Sequence, residues 1–190
     1  MTSYGPKELA ASFRTVRNNT IQIAEEIPEE HYGYRAAPGC RSVAETLVHI
    51  AVAPRLQEHI HLTGHLTSLA GFDFFDFLGR MTAEESVPRS KAEIVGLLRA
   101  EGERMAGMLE QFPESALDER VEFPQGMMPP SKSRFEMLMA TKEHEMHHRG
   151  QLMLIERMLG ITPHLTRKMH ERAAALEAQR ARNSRASAQN

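Results

Sequence analysis

Three histidines fall within five residues of the segment KEHEMHHRGQ, residues 142–151: His144, His147 and His148. Apolar or small residues recur around them at steps of three and four, which predicts a helix with one inward face: Met137, Thr141, Leu152, Ile155 and Leu159. His144 and His148 lie on that face, one turn apart, so both imidazoles could reach one metal ion. His147 lies on a mixed face and is expected to be flanking or exposed.

A third histidine, His49, occupies a similar stripe of small and apolar residues within ETLVHIAVAP. Metal sites in helical bundles form where facing helices direct side chains inward. His49, His144 and His148 would supply three neutral nitrogen ligands and leave positions open for water or substrate, which is typical of a catalytic metal site. Imidazole ligands suit several transition metals, and we expect zinc or nickel, with iron as a further candidate.

Two alternatives to this metal site stay open. The three histidines could be hydrogen-bonded core residues that bind no ion. A second group, His59, His61 and His65 in EHIHLTGH, also has two members four residues apart. Because Gly64 interrupts the helix and the surroundings are polar, we predict that this group is exposed and binds zinc or nickel only adventitiously.

Four amphipathic helices would position these residues. Apolar spacing places them at residues 6–27, 42–62, 90–112 and 132–159. The second and third begin with capping boxes, in which a serine oxygen accepts a backbone N–H and a glutamate three residues later bonds back: Ser42 with Glu45, and Ser90 with Glu93. Pro54 should kink the second helix. Four such helices predict an all-α four-helix bundle.

The segments between and after these helices are less regular. Residues 63–89 contain GFDFFDFLG and fit either short helical turns or a lid, and residues 113–132 are predicted to be a loop. No strand-like alternation of useful length occurs. We divide the chain into a bundle domain, residues 1–165, and a basic tail, residues 166–190, predicted to be a short helix followed by disorder.

Composition limits the classes of function and the location expected for this protein. The 190 residues carry a formal charge of −2, which argues against a nucleic-acid partner. No apolar stretch suggests a signal peptide or a membrane span, so no membrane association is expected. The single cysteine, Cys40, excludes an internal disulfide and fits a cytoplasmic location.

The segments HYGYRAAPGCRSVAETLVHIA and EHEMHHRGQLMLIERMLG, the latter followed by ITPH, resemble the DinB-like (damage-inducible) superfamily of metal-binding four-helix bundle proteins. The resemblance implies a bundle of that type, a homodimer, and a divalent metal on His49, His144 and His148. The chain departs from the family pattern at Pro54 and at GFDFFDFLG. Both lie close to the expected substrate mouth, so the substrate class is the property least defined by the resemblance.

Proteins of this kind include transferases and isomerases that use low-molecular-weight thiols such as bacillithiol and mycothiol, and proposed metal-dependent hydrolases. Three neutral ligands leave the ion its full charge, which lowers the pKa of a bound thiol or water. The first hypothesis is therefore a metal-dependent, thiol-dependent S-transferase with a small-molecule substrate. Its alternatives are a hydrolase and a non-enzymatic metal-binding stress-response protein, since no general base is evident.

Four residues beside the histidines offer further interpretations. Glu145 should face a neighbouring helix or solvent, about 100° round the helix from His144. Arg149 could hold a substrate carboxylate or form an ion pair. Gly150 costs stability in mid-helix, which close helix packing would explain. Gln151 could hydrogen-bond a histidine or close a helix contact.

Overall fold

The computed structural model describes residues 4–187, and its helices carry most of that chain. The helices are α1 (Pro6–Glu26), α2 (Val43–Val52), α3 (Arg55–Glu58), α4 (Phe74–Glu85), α5 (Lys91–Gln111), α6 (Arg134–Met158) and α7 (His164–Ser187). α1 packs against α5 and α6, and α2 packs against α4, α5 and α6. The predicted all-α four-helix bundle is confirmed. No helix among the described residues is both long and apolar enough to cross a bilayer.

The helix beginnings follow the sequence signals. Ser42 accepts a hydrogen bond from the Glu45 backbone N–H, and the Glu45 carboxylate accepts one from the Ser42 N–H. The same reciprocal pair joins Ser90 and Glu93. Pro54 divides the second predicted helix into α2 and α3, as its missing N–H requires.

Two segments differ from their predictions, and a third, for which short helical turns and a lid were both left open, contains a helix. A two-stranded antiparallel hairpin, β1 (Arg120–Glu122) and β2 (Ser131–Ser133), runs from the predicted loop 113–132 into the predicted start of the fourth helix. Each strand has three residues, too few to show an alternating pattern in the sequence. The unassigned stretch 63–89 contains α4, whose Asp73 side chain caps its first turn. The tail predicted as a short helix is the 24-residue α7, and residues 188–190 lie outside the described residues.

The group His59, His61 and His65 is exposed only in part: His65 is exposed as predicted and His59 is half-buried, but the prediction is wrong for His61. Residues His59–Thr63 form a turn of π-helix, and His61 is 1 % exposed. Arg134 Nη1 donates to His61 Nδ1 at 2.9 Å, and His61 Nε2 lies 3.0 Å from Gln57 Oε1. Burial and the neighbouring Arg134 charge lower the pKa of His61 to about 4. His61 is therefore a neutral, hydrogen-bonded core residue.

Two helical glycines have opposite surroundings. A Cβ built on Gly102 of α5 would lie 2.7 Å from Cγ of Arg17, so only glycine leaves room for that side chain. A Cβ built on Gly150 would meet nothing within 4 Å, and the close packing predicted for it is wrong.

Alanine substitutions should separate these two glycines. Gly150→Ala should raise the free energy of unfolding by about 0.5–1 kcal/mol, because alanine is the better helix former and meets no obstacle. Gly102→Ala should lower it by about 1–3 kcal/mol, because the methyl group displaces the fixed Arg17 side chain. Urea titrations of both variants measure the difference, and a stabilising Gly102→Ala would contradict the packing described.

A buried acid lies where α1, α6 and α7 meet. Glu156 is 0 % exposed, and neither of its carboxylate oxygens has a hydrogen-bond partner within the described chain. Burial, and then the charge of Glu26, raise the pKa of Glu156 to about 7. The acid is therefore protonated in the folded chain well above the pH at which it ionises in the unfolded chain.

The raised pKa of Glu156 predicts a pH-dependent effect of Glu156→Gln. Below a pH of about 4.5 both folded and unfolded chains hold the proton, and the variant should be near neutral. As pH rises from about 4.5 to about 7 the unfolded chain loses the proton while the folded chain keeps it, so the acid increasingly destabilises the fold. At about pH 8 the variant should therefore gain about 2–3 kcal/mol in urea titrations. The exposed Glu177→Gln is the control, and an effect independent of pH would contradict the account.

Candidate metal centre

Three imidazoles predicted from two helices come together; His49 and His148 are buried as predicted, whereas His144, predicted to lie on the inward face, is exposed. His49 projects from α2, and His144 and His148 project from α6. His144 Nε2 lies 3.2 Å from His49 Nε2 and 3.2 Å from His148 Nε2. The three ligand atoms all lie within 4.8 Å of one another. His147 is exposed, as predicted, and its Nε2 lies 3.2 Å from the Gln151 side-chain amide nitrogen.

In two of the rings, the hydrogen-bond partner of Nδ1 indicates which ring nitrogen carries the proton. His49 Nδ1 lies 2.7 Å from a carboxylate oxygen of Glu85, and His148 Nδ1 lies 2.9 Å from the amide oxygen of Gln151. Both oxygens only accept, so both Nδ1 atoms donate and both Nε2 atoms carry a lone pair when the rings are neutral. His144 Nε2 could donate to one of these lone pairs and not to both. At least one inward lone pair therefore has no donor among the three rings and is available to a metal ion.

The spacing and charge of the three rings fit a divalent ion. Zinc–nitrogen bonds of about 2.0–2.1 Å in a tetrahedron separate the nitrogens by about 3.3–3.4 Å, close to the 3.2 Å contacts of His144. Burial, then the neighbouring His148 and His49, lower the pKa of His144 to about 4. Burial also lowers the pKa of His148. These two rings are therefore neutral at physiological pH, as ligands must be.

Glu85, at the end of α4, is a residue that the sequence analysis missed. Besides His49, it accepts from Arg41 Nε at 2.5 Å and from Arg41 Nη2 at 3.3 Å. Burial alone would raise the pKa of Glu85, but the bonds from His49 and Arg41 lower it below its usual value. A sequence signal did exist: Glu85 follows Phe77 and Met81 at four-residue steps, so it continues the buried stripe of α4.

Glu85→Gln should weaken zinc binding by about 10- to 100-fold, the usual cost of losing a carboxylate behind a ligating histidine. The amide can still accept from His49 Nδ1, but it lacks the charge that makes the imidazole a stronger ligand. A competition titration against a chromophoric chelator measures the affinity. Exposed Glu143→Gln is a control on the neighbouring face of α6, and equal affinities for the two variants would contradict the role of Glu85.

A buried ion pair joins the helices behind the histidines. Arg17 of α1 donates to the Glu145 carboxylate at 3.0–3.1 Å, and both side chains are 3 % exposed. Arg17 also donates to the backbone oxygens of Ile50 and Leu98. Ile50 follows His49, and Glu145 follows His144. The pair therefore ties the backbone segments of two candidate ligands to each other, and Glu145 faces a neighbouring helix.

A pocket of about 700 Å³ adjoins the candidate metal centre on the side of His148. Its wall includes His148, Glu85 and Gln151, together with two arginines from the loop before α2, Arg35 and Arg41. Arg149, which the sequence suggested for substrate binding, does not line it. The volume lies within the range of small-molecule sites.

Comparisons with known proteins agree with this architecture. The uncharacterized protein YjoA of Bacillus subtilis (strain 168) is 24 % identical over 155 residues, which cover 82 % of this chain and 91 % of YjoA. The crystal structure of YjoA, described as a DinB-like protein, matches with a TM-score of 0.60 at 23 % identity, over 82 % of this chain and 94 % of that one.

Two further structures share the fold. A DinB-like protein from Bacillus cereus matches with a TM-score of 0.59 at 19 % identity, over 82 % of this chain and 93 % of that one. YfiT from Bacillus subtilis, described as a probable metal-dependent hydrolase with an unusual four-helix bundle topology, matches with a TM-score of 0.61 at 13 % identity, over 85 % and 93 %. The model of the DinB family matches residues 1–181, nearly the whole sequence. The chain therefore belongs to the DinB family.

Proposed function

We propose that this protein is a metal-dependent enzyme in which His49, His144 and His148 hold one divalent ion, zinc or nickel first, and in which a low-molecular-weight thiol is activated for transfer to a small electrophile. One observation carries the proposal: three Nε2 atoms converge, and no donor in the group can satisfy both inward lone pairs. When bound, the ion would supply a positive charge that lowers the pKa of a thiol or a water molecule.

Other residues of the chain would orient the ligands and bind the substrate. Glu85 and Gln151 hold the His49 and His148 rings with their Nε2 atoms inward. His148 is the member of the three that lines the adjoining pocket, so a substrate in the pocket would reach the site on its side. The adjoining pocket holds the body of the substrate. A substrate-sized pocket at the site also speaks against a non-enzymatic metal-binding protein.

Thiol transfer is favoured over hydrolysis by the state of Glu85. Both of its oxygens are engaged by His49 and Arg41, so it is not free to take a proton from water. A thiol has an ordinary pKa of about 8.5 and water one of about 15.7, so a thiol needs a much smaller pKa shift to lose its proton near neutral pH. The second candidate is metal-dependent hydrolysis, supported by the description of YfiT. A homodimer, a cytoplasmic location and the absence of nucleic-acid partners stay predictions.

The test begins with tag-free protein loaded with zinc or nickel, whose metal content is measured by elemental analysis. Conjugation of glutathione, cysteine or bacillithiol to monochlorobimane tests thiol transfer, and cleavage of p-nitrophenyl acetate tests hydrolysis. We expect metal-dependent conjugation that is lost in His144→Ala and kept in His147→Ala. Ester cleavage without conjugation would support the second candidate. Metal binding without either activity, across these substrates, would contradict the enzymatic proposal.

A further inference from the structure

We propose that the pocket beside the three histidines binds a small molecule through an anionic group, a carboxylate or a phosphate, held by Arg35 and Arg41. This inference rests on the proposed function, because it places the reactive part of the same molecule near His148. It names the substrate class that the ligand set leaves open.

The two guanidinium groups are fixed and keep donors to spare. Arg35 Nη1 donates to the Cys40 backbone oxygen at 2.6 Å, and Arg35 Nη2 donates to Glu45 at 2.6 Å. Arg41 donates to Glu85 through Nε and Nη2. A guanidinium has five N–H donors, so each arginine retains N–H groups beyond these bonds. Their side chains are 47 % and 41 % exposed, so a ligand can reach them.

The two carboxylates of the pocket wall, Glu45 and Glu85, also accept hydrogen bonds from groups other than the two arginines. Glu45 accepts from the Ser42 backbone N–H at 2.7 Å, at the positive end of α2. Glu85 accepts from His49 Nδ1. The two arginines and two glutamates cancel in formal charge, so a divalent ion on the histidines makes the wall positive. Such a wall attracts an anion, and planar guanidinium groups match carboxylate and phosphate geometry.

The rest of the pocket limits the size and character of the ligand. Ala36, Leu154 and Ile155 supply an apolar surface, and Thr46, Thr82 and Ser86 supply hydroxyl groups. A volume of about 700 Å³ suits a compact organic molecule. The ligand therefore has one anionic end at the loop before α2 and a small, partly apolar body that extends towards α6.

Cys40 offers a probe of this charge that needs no activity assay. It is the only cysteine of the chain, it is exposed, and it lines the pocket. Iodoacetate and iodoacetamide alkylate a thiolate by the same displacement of iodide, and they differ in charge. In zinc-loaded protein we expect the ratio of the iodoacetate rate to the iodoacetamide rate to exceed that of free glutathione about tenfold.

Substitutions of Arg35 and Arg41 test whether these arginines cause the faster reaction of Cys40 with iodoacetate. Arg35→Gln and Arg41→Gln should each lower the rate ratio several-fold, and the double variant should return it to the glutathione value. Arg99→Gln, an exposed arginine of α5 outside the pocket wall, should leave it unchanged. Inorganic phosphate and succinate should protect Cys40 of the wild type from iodoacetamide in a saturable manner, and should fail to protect the double variant.

The outcomes separate this inference from the proposed function. A rate ratio equal to that of glutathione, or protection unaffected by the double variant, would overturn the anion site even if one zinc is bound. Protection by phosphate and not by succinate would identify a phosphate ligand, and the reverse a carboxylate ligand. Protein that binds no metal but shows arginine-dependent protection would retain the anion site and contradict the proposed metal enzyme.

Discussion

Glu145→Gln should lower the free energy of unfolding by about 3–5 kcal/mol, the usual cost of removing one partner from a buried ion pair. The guanidinium of Arg17 would keep its charge in a position where its side chain is 3 % exposed, without a counter-ion. The amide oxygen of the substituted side chain could still accept a hydrogen bond, so the loss would come from the charge. Urea titration of metal-free protein measures it.

Matched variants separate the charge from the packing. Arg17→Met combined with Glu145→Leu removes both charges and should cost clearly less than Glu145→Gln alone. Arg80→Gln breaks an ion pair with Asp76 whose side chains are 72 % and 59 % exposed, and should cost less than about 1 kcal/mol. A Glu145→Gln variant as stable as Arg80→Gln would contradict the role assigned to the buried pair.

His148→Ala should weaken zinc binding by more than about 100-fold, beyond the range expected for the loss of an outer partner. The substitution removes one of three nitrogens that converge within 4.8 Å. His147→Ala is the matched control, since it removes the adjacent imidazole, which is exposed and lies outside the group. Competition with a chromophoric chelator measures both affinities.

The difference in zinc affinity between His148→Ala and His147→Ala should be nearly as large as the whole loss in His148→Ala. His147→Ala should retain an affinity within a few-fold of wild type, and its small change would come from the contact between Gln151 and His147. If both variants lost affinity equally, the ion would lie on the outer face of α6. If neither lost affinity, the ion would lie away from KEHEMHHRGQ altogether.

Local signals made most of the bundle predictable. Apolar residues at steps of three and four, with capping boxes at Ser42 and Ser90, located the long helices to within one or two residues at most ends. Pro54 correctly marked the break in the second helix. The segment after it was harder, because His59–Thr63 winds as a π-helix. His61 was wrongly placed in solvent because Gly64 and polar neighbours suggested an exposed helix end, whereas its ring is buried and hydrogen-bonded to Gln57 and Arg134.

The sequence predicted on which helix faces the candidate ligands lie, but not which residues from other helices they contact. Helical spacing placed His49, His144 and His148 on inward stripes, because a stripe depends on residues a few positions away, and it was right for the buried His49 and His148 but not for the exposed His144. The partners of those helices come from far along the chain: Glu85 is 36 residues from His49, and Arg17 is 128 residues from Glu145. Such pairings depend on how whole helices pack, which no local pattern in one sequence specifies.

X-ray absorption at the zinc edge of tag-free protein carrying one equivalent of zinc tests the central claim most directly. The account predicts three imidazole nitrogens at about 2.0–2.1 Å from the ion, and fewer imidazoles in the His144→Ala, His148→Ala double variant. A coordination shell without imidazoles, or the same spectrum in both proteins, would contradict a metal centre on His49, His144 and His148.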